Sequence, residues 1–421
     1  MQAVPGAALA TNHDHSPSST ASADVPVQAR PKPEALIENP GSLSAFFEAL
    51  RSSQQEGKKT RIAYFGDSMI EGDLITSDLR NKLQQEFGGE GVGFVPITSV
   101  TADFRHTIYH TFSPDWKEYT FMSKTIPANS PLGISGHVFQ PNVLLNEVPD
   151  SLEPPQPSWV QYTASKMNKR LSQFHQVALF YGPGSAGDQL VLQADQRHET
   201  KPLEGQRRVN ELLLQEGGRS RKIRLEFDTF SRRNVYGLSF EGDTGVVLDN
   251  LSFRGNSGLS LTRLKNDVLQ DFNQYQDYKL IILHYGVNVA NHKLHDYRFY
   301  EKGMGRVLAK LQTAFPKASF LVIGMSDKGF NNAGEITTDP SVPLLLQAQQ
   351  NVASKYNVAF WNLFNAMGGE NSMVDWANAK PALANKDYTH INANGARKIA
   401  SMLYENLMKS YQQYQKEHTS I

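Results

Sequence analysis

A serine that could act as a nucleophile lies where a buried strand passes into a helix. The apolar run Arg61–Phe65 predicts the strand, which ends in Gly66–Ser68, and Leu74–Phe87 predicts the helix that follows. Open α/β folds bind ligands at the carboxyl ends of their strands, and a helix N-terminus there offers free N–H groups to an anion. Ser68 could therefore attack an ester carbonyl, although serine after a strand is also a common helix cap.

A possible base and its carboxylate partner lie just before the last predicted helix. Asp387 precedes His390 by three residues. A serine nucleophile needs a base, and the base needs a group that orients it and stabilises its charged form. One turn of chain can supply both, although a capping cluster beside a surface histidine would show the same pattern.

The chain has twelve histidines, and three of them are rival candidates: His284, His292 and His295. With a carboxylate such as Asp296 they could form a zinc site only at a fixed geometry, and their spacing fits no common helical metal motif. The sequence contains no cysteine, which excludes disulfides, thiolate zinc sites and a cysteine nucleophile. We therefore expect no metal site.

Two further segments could stabilise a developing oxyanion. Arg254–Gly258 follows the predicted strand Gly245–Leu251, and Tyr285–Asn288 follows the predicted strand Leu280–Leu283. A glycine lets its N–H approach a ligand closely, and an asparagine amide adds a side-chain donor. Each segment alone is also typical of an ordinary βα turn. The joint order of all four segments is far more specific than any one of them.

The elements that must position these residues alternate between strand and helix after Gly245, which predicts a parallel sheet with helices on both faces. The predicted strands are Gly245–Leu248, Leu280–His284, Ser319–Ile323 and Val358–Trp361, and the predicted helices are Leu261–Phe272, Arg298–Ala314, Pro343–Tyr356 and Gly395–Gln412.

The segment between the first two motifs has a different sequence pattern. It contains many prolines and short runs of alternating apolar and polar residues, such as Gln176–Tyr181 and Arg221–Phe227. This pattern predicts an antiparallel β-sandwich. We therefore expect an α/β domain over residues 41–98 and 245–415, interrupted by a β-rich domain over residues 99–244. Residues 1–40, rich in Ala, Ser and Pro, are expected to form a disordered leader or linker.

Composition excludes some classes of function. Lys+Arg and Asp+Glu number 42 each, so no basic field attracts nucleic acid. No apolar run approaches the roughly 20 residues of a membrane-spanning helix. The first residues lack the basic start and apolar stretch of an intact signal peptide.

The four segments resemble the motif blocks of the SGNH (GDSL-like) hydrolase superfamily, in the family's order: Gly66–Ser68, Asn256–Gly258, Gly286–Asn288 and Asp387–His390. The resemblance covers roughly residues 43–98 and 245–415. It implies a flavodoxin-like three-layer α/β sheet. It also implies that Ser68 is the nucleophile, His390 the base and Asp387 its partner, with an oxyanion hole formed by Ser68, Gly258 and Asn288.

Three departures from the family pattern are visible. Met69 replaces the leucine of the first block, and Val289 replaces the aspartate that often follows the asparagine of the third. In the second block, Gly255 competes with Gly258 for the oxyanion role, and we expect Gly258 to fill it.

The β-rich insertion resembles the layout of bacterial peptidoglycan O-acetylesterases, in which a carbohydrate-binding-type sandwich interrupts the hydrolase. The segment Tyr236–Gly242, which continues into Gly245–Val247, also looks like that group. The resemblance implies removal of acetyl groups from a cell-wall or other polysaccharide in an extracytoplasmic setting. Four aromatic residues of the insertion could stack on sugars, although such residues more often form the core of a sandwich: Tyr109, Trp116, Tyr119 and Trp159.

The expected function is thus a serine esterase that acts on an O-acylated carbohydrate and needs no cofactor. An O-acyltransferase and a non-catalytic glycan-binding protein remain alternatives, whereas a lipase would require an apolar lid segment that the sequence lacks. The sequence leaves the acyl group, the alcohol and the oligomeric state open.

Overall fold

The structure, a computed structural model, describes residues 36–142, 156–227 and 233–418. Within these residues the strands are β1 (Ile37–Glu38), β2 (Lys59–Gly66), β3 (Gly93–Val95), β4 (Ile108–Phe112), β5 (Lys117–Thr120), β6 (His137–Gln140), β7 (Ser158–Ala164), β8 (Gln176–Tyr181), β9 (Gln189–Ala194), β10 (Arg197–Pro202), β11 (Asn210–Gln215), β12 (Lys222–Phe227), β13 (Val235–Glu241), β14 (Gly245–Ser252), β15 (Tyr278–His284), β16 (Ser319–Ile323), β17 (Gly329–Asn332), β18 (Glu335–Thr338) and β19 (Ala359–Trp361). The α-helices are α1 (Ser44–Glu56), α2 (Thr76–Phe87), α3 (Asn266–Gln276), α4 (Arg298–Ala314), α5 (Ser341–Lys355), α6 (Leu363–Met367), α7 (Ser372–Asn378) and α8 (Ala393–His418).

One six-stranded sheet has the order β1-β19-β16-β15-β2-β14. Every neighbouring pair is parallel except β1 and β19. Numbered along the chain, the five parallel strands lie in the order 2-1-3-4-5, so the order reverses between β2 and β15. The crevice outside the carboxyl ends of strands at such a reversal is where α/β sheets bind ligands.

Successive residues of the central strands enter different hydrophobic cores. Leu280 and Ile282 of β15 pack in a core that includes residues of α1, α2 and α8. Ile281 and Leu283 pack in another core with residues of α3, α4 and α5. Because side chains alternate across a strand, the two faces of this sheet contribute to different cores, which explains the nearly continuous apolar sequence of its strands.

Two antiparallel sheets fill the region between β2 and β14. One has the order β10-β9-β12-β7-β4, and the other has the order β11-β8-β13-β6-β5 with β3 paired to β13. The two sheets share a hydrophobic core. Within it, the rings of Tyr162 on β7 and Phe240 on β13 lie 5.0 Å apart.

Several expectations need correction. The leader predicted over residues 1–40 is wrong for its last part, because Ile37 is buried in β1 and pairs with Trp361; residues 1–35 lie outside the described residues. Residues 41–98 were expected to belong to the α/β domain. Strand β3, at Gly93–Val95, instead pairs with β13 of an antiparallel sheet. The β17–β18 hairpin was not predicted.

None of the helices in the described part of the chain combines the length and apolar character that a bilayer crossing requires.

A buried ion-pair network ties the parallel sheet to the antiparallel ones. Arg61 on β2 donates from Nε and Nη2 to the two carboxylate oxygens of Asp249 on β14, each at 2.8 Å. Arg61 also contacts Glu241 on β13, and Tyr278 donates to Asp249 at 2.6 Å. Arg61 is only 4% exposed and Asp249 is fully buried, so each charge depends on the others for the solvation it has lost.

We predict that Asp249→Ala lowers the free energy of unfolding by roughly 3–5 kcal/mol, because it removes one partner of a buried charge. Chemical denaturation followed by circular dichroism measures this change. Asp296→Ala, which breaks an exposed pair with Arg298, serves as the control and should have almost no effect. A loss no larger than that of the control would contradict the importance of this junction.

Candidate active site

The turn after β2 places Ser68 at the reversal point of the parallel sheet. Ser68 is the first residue of the short segment Ser68–Asp73, in which 3₁₀ turns are interrupted by a kink at Glu71 and Gly72. Asp67 caps the start of this segment, since its Oδ1 accepts a hydrogen bond from the N–H of Met69 at 3.0 Å. A Cβ on Gly66 would lie 2.8 Å from the side chain of Ile70, so the tight turn requires glycine there.

His390 and Asp387 lie beside Ser68 in a continuous hydrogen-bonded row. Ser68 Oγ is 3.2 Å from His390 Nε2, and His390 Nδ1 is 2.7 Å from Asp387 Oδ2. If the carboxylate accepts the Nδ1 proton, Nε2 is left to accept the proton of the serine hydroxyl. The structure therefore brings together the three residues that the sequence analysis selected as nucleophile, base and orienting carboxylate.

Hydrogen bonds keep Asp387 in its charged form. Partial burial raises the pKa of the carboxyl group, but bonds from the His390 N–H, the His390 ring and the Thr389 N–H outweigh it and leave the pKa below its usual value. The two N–H groups donate to Asp387 Oδ1, each at 3.0 Å. Asp387 can thus balance the positive charge that His390 gains when it takes a proton.

The loop that carries Asp387 and His390 is closed by its own backbone and by the β17–β18 hairpin. Ala384 and Ile391 form an isolated β-bridge, and Asn385 N–H donates to His390 O at 2.8 Å. Gly329 N–H, at the start of β17, donates to Tyr388 O at 2.6 Å. Tyr388 has a φ of 53°, which costs energy for a bulky residue and indicates that its surroundings impose this conformation.

Two backbone N–H groups beside the serine have no partner among the residues that the structure describes. They belong to Ser68 and Gly255, and both residues line the same pocket as His390 and Asn288, a cavity of about 460 Å³. Free N–H groups at such a pocket can donate to an oxyanion.

Gly258, the glycine expected in the oxyanion hole, does not line this pocket. Its N–H donates to Asn256 Oδ1 at 2.8 Å, and a Cβ on this buried residue would lie 2.8 Å from Tyr285. The structure therefore contradicts the expectation for Gly258, because its N–H is bound to Asn256 and the residue lies outside the pocket. Gly255 is the glycine of this segment that lines the pocket.

Asn288 lines the pocket from the end of β15. Its Nδ2 donates to Asp67 Oδ2 at 3.1 Å and to Asn256 O at 3.3 Å. Asp67 directly precedes Ser68 and is only 1% exposed. Burial raises the pKa of Asp67 to about 7, although bonds from the Met69 N–H and Asn288 oppose the shift. The carboxyl group of Asp67 orients the asparagine amide at the edge of the pocket.

The rival histidines are not brought together. His284 is buried, its ring lies 3.1 Å from the Tyr64 hydroxyl, and burial lowers its pKa to about 4. His292 packs on Phe330 of the hairpin at 4.6 Å between ring centroids. Within the described residues, no group of three His, Cys, Asp or Glu side chains lies close enough to hold a metal ion.

The aromatic residues of the insertion divide between core and surface. Trp116 is 9% exposed and packs edge-on against Phe227, so it belongs to the core. Tyr119 is partly buried. Trp159 stacks on the guanidinium of Arg224 at 4.0 Å. Tyr109 is 50% exposed on β4.

Three residues that shape the site lie outside the four motif blocks: Glu71, Arg254 and Gly329. Glu71 and Arg254 line the pocket and form an ion pair at 2.9 Å, and the Gly329 N–H holds the loop that carries Asp387 and His390. Arg254 begins the predicted turn Arg254–Gly258, but nothing in the sequence indicates its partner Glu71, 183 residues away.

Solved structures similar to this chain include esterases. One is described as a peptidoglycan O-acetylesterase in action; it matches with a TM-score of 0.72 at 23% identity, over 90% of this chain and 99% of that one. A family two carbohydrate esterase from Cellvibrio japonicus has a TM-score of 0.28 at 8% identity over 72% of this chain and 98% of its own. An acetyl xylan esterase, AlAXEase, has a TM-score of 0.30 at 23% identity over 38% of this chain and 80% of its own.

The last two TM-scores are too low to support any argument about the fold. No protein-family model matches the chain, and a comparison with curated proteins finds no match. The first match extends over nearly the whole of both chains, so this protein has the fold of that esterase structure.

We predict that Gly329→Val displaces the loop that carries Asp387 and His390, because a Cβ at this position would lie 2.5 Å from Tyr388 Cβ. A displacement of His390 by about 1 Å should slow the reaction of Ser68 with a fluorophosphonate probe by about 10²-fold. Asn332→Ala, at an exposed position of the same hairpin, is the matched control. An unchanged labelling rate in the folded Gly329 variant would show that the hairpin does not position His390.

We also predict that Asp67 makes stability depend on pH. Because the folded-state pKa is about 7 and the ordinary value is 3.8, the folded protein binds more protons than the unfolded chain between these values. The free energy of unfolding therefore falls as pH rises through this window, by up to about 4 kcal/mol from this group.

In Asp67→Asn this contribution is absent, so the difference in unfolding free energy between wild type and variant should change between about pH 4 and about pH 8. Denaturant titrations at both pH values measure it. Asp103→Asn, at an exposed position, is the control. A parallel pH dependence of wild type and Asp67→Asn would contradict the prediction.

Proposed function

We propose that this protein is a serine esterase that removes acyl groups, above all O-acetyl groups, from a carbohydrate through an acyl-serine intermediate. The observation that carries the proposal is the row of contacts from Ser68 Oγ to His390 Nε2 at 3.2 Å and from His390 Nδ1 to Asp387 at 2.7 Å. Beside this row lie the free N–H groups of Ser68 and Gly255. A nucleophile, a base and oxyanion donors at one pocket support acyl transfer.

In the first step, Ser68 Oγ attacks the ester carbonyl while His390 Nε2 takes the hydroxyl proton. The carbonyl oxygen becomes an oxyanion, which the N–H groups of Ser68 and Gly255 stabilise. Asn288 is the third proposed donor, and its long 3.3 Å bond to Asn256 O is the one that the oxyanion would replace. The imidazolium then gives its proton to the departing sugar oxygen, which leaves an acyl-serine.

In the second step, water replaces the sugar. His390 Nε2 takes a proton from the water as its oxygen attacks the acyl-serine carbonyl, and the same N–H groups hold the second oxyanion. Collapse of this intermediate releases the carboxylic acid and returns the proton to Ser68 Oγ. Asp387 stabilises the imidazolium in both steps, and neither step calls for a cofactor.

Exposure of the site favours hydrolysis over transfer to a second sugar. The His390 side chain is 42% exposed, so water can reach Nε2 and the acyl-serine. An O-acyltransferase has to exclude water from its intermediate. A non-catalytic glycan-binding protein would have no need for a serine, a histidine and an aspartate in hydrogen-bonding contact.

The proposed substrate class follows from the fold and the resemblance. We propose an O-acylated polysaccharide, with peptidoglycan as the leading candidate, and therefore an extracytoplasmic site of action. We further propose that residues 41–98 and 245–415 form a flavodoxin-like three-layer hydrolase domain. The two antiparallel sheets between them would form an inserted, carbohydrate-binding-type β-sandwich, which β3 would extend to about residue 93.

We predict that Ser68→Ala lowers the rate of acetate release from p-nitrophenyl acetate and from O-acetylated peptidoglycan by roughly 10³-fold or more, because it removes the nucleophile. Ser77→Ala, at a half-buried position in the first turn of α2 outside the pocket, is the matched control and should retain wild-type rates. Activity that survives in Ser68→Ala would contradict the assigned nucleophile. Absence of activity in the wild type on both esters would favour the transferase or the binding function.

A further inference from the structure

A second cleft lies beside the catalytic pocket, where the parallel sheet meets the antiparallel ones. It has a volume of about 530 Å³. One wall is formed by Glu71–Asp73 and Asn250–Arg254, and the other by Thr98–Thr101 with side chains from β4, β5 and β6. We call it the junction cleft. Its size falls within the range of roughly 300–1,000 Å³ that is common for small-molecule sites.

The junction cleft and the catalytic pocket share the Glu71–Arg254 ion pair. Both residues line both cavities. Arg254 donates from Nε and Nη2 to Glu71, and its Nη1 has no partner among the described residues. The Arg254 side chain is 60% exposed, whereas that of Glu71 is 9% exposed. A ligand longer than a simple ester could therefore extend from Ser68 past this pair into the junction cleft and meet a guanidinium that still has donors to offer.

The walls of the junction cleft combine apolar surface with hydrogen-bonding groups. Phe112 and Phe253 provide aromatic surface, and Val100 is 79% exposed. His137 lies 5.0 Å from the Phe253 ring and is paired with Glu118. Pyranose rings have apolar C–H faces and a rim of hydroxyl groups, so this mixture fits a sugar. A fatty acyl chain would remove water from Arg254 Nη1, from the Glu118 carboxylate and from His137 without offering them hydrogen bonds, at a cost in free energy.

Buried charges hold the two walls of the junction cleft together. Asp73, the last residue of the segment Ser68–Asp73, accepts from Arg80 at 3.0 Å and from Arg105 at 2.9 Å. Arg105 follows the segment Thr98–Thr101 and lines the cleft. The walls of the cleft are thus fixed to the turn that carries Ser68. Because these walls are held in place before a ligand binds, binding does not have to order them, and this favours affinity.

We propose that the junction cleft binds the sugar unit next to the acylated sugar, so that the protein selects esters on a glycan chain over free acyl esters. This inference rests on the proposed function and adds a subsite to it. Phe253 and Val100 provide the apolar contact with the neighbouring ring, and Arg254 with Glu118 provides the polar contacts. The specificity for a polymer would then come from a surface to which the parallel sheet and the antiparallel sheets both contribute.

The subsite is tested directly by measuring glycan binding to a variant that cannot hydrolyse the ester. In the Ser68→Ala background, the dissociation constant of soluble O-acetylated peptidoglycan oligosaccharides is measured by calorimetry. Val100→Glu and Phe253→Ala should each weaken binding by about tenfold. Val191→Glu places the same charge at an exposed position of β9 outside the cleft and is the matched control. Phe299→Ala, at a half-exposed position of α4 outside both cavities, controls for the loss of an aromatic ring.

Kinetics in the Ser68-containing protein separates the subsite from the esterase function. Val100→Glu should lower the ratio of kcat/KM on the oligosaccharide to kcat/KM on p-nitrophenyl acetate by about tenfold, and Val191→Glu should not. Dissociation constants of both cleft variants within about twofold of the control would overturn the subsite, even if Ser68-dependent hydrolysis is present.

Two other outcomes are equally decisive. Tenfold weaker glycan binding in a protein without Ser68-dependent hydrolysis would support the junction cleft and contradict the proposed function. Weaker binding of a long-chain acyl ester, with glycan binding unchanged in both cleft variants, would overturn the subsite in favour of an acyl-chain site. Circular dichroism of each variant confirms that it is folded before binding is compared.

Discussion

The contact between Ser68 Oγ and His390 Nε2 joins two segments that are 322 residues apart in the chain, and the chemistry of the site depends on it. A serine hydroxyl is a poor nucleophile until a base can take its proton. Strands β2 and β15 place Ser68 and Asn288 at the same edge of the parallel sheet. The loop before α8 brings His390 to that edge, where its ring is hydrogen-bonded to Asp387 of the same loop.

Several costly local features support this arrangement. Tyr388 adopts a left-handed conformation, Asp67 is buried with a raised pKa, and Asp73 is fully enclosed by arginines. Each would destabilise the protein if its surroundings did not compensate it, and all three lie within or next to the segments that carry Ser68 and His390. This concentration is what is expected where function rather than stability determines the local structure.

The local parts of the site could be predicted from the sequence, whereas the parts that depend on tertiary contacts could not. The strand before Ser68 and the short spacing of Asp387 and His390 are visible as local patterns. The choice between Gly255 and Gly258 depends on which N–H Asn256 occupies, and both glycines look alike in the sequence. The β17–β18 hairpin has weak local signals, and the Glu71–Arg254 pair arises only when the segment Ser68–Asp73 meets the end of β14.

The central claim is that Ser68 carries the acyl group. Rapid quenching of the wild-type protein with p-nitrophenyl acetate, followed by peptide mass mapping, tests it most directly. The account predicts acetylation on the peptide that contains Ser68, at Ser68 itself, and its loss on longer incubation as water releases acetate. Acetylation at a different residue, or steady hydrolysis with no acyl-serine at any quench time and no reaction of Ser68 with a fluorophosphonate, would contradict it.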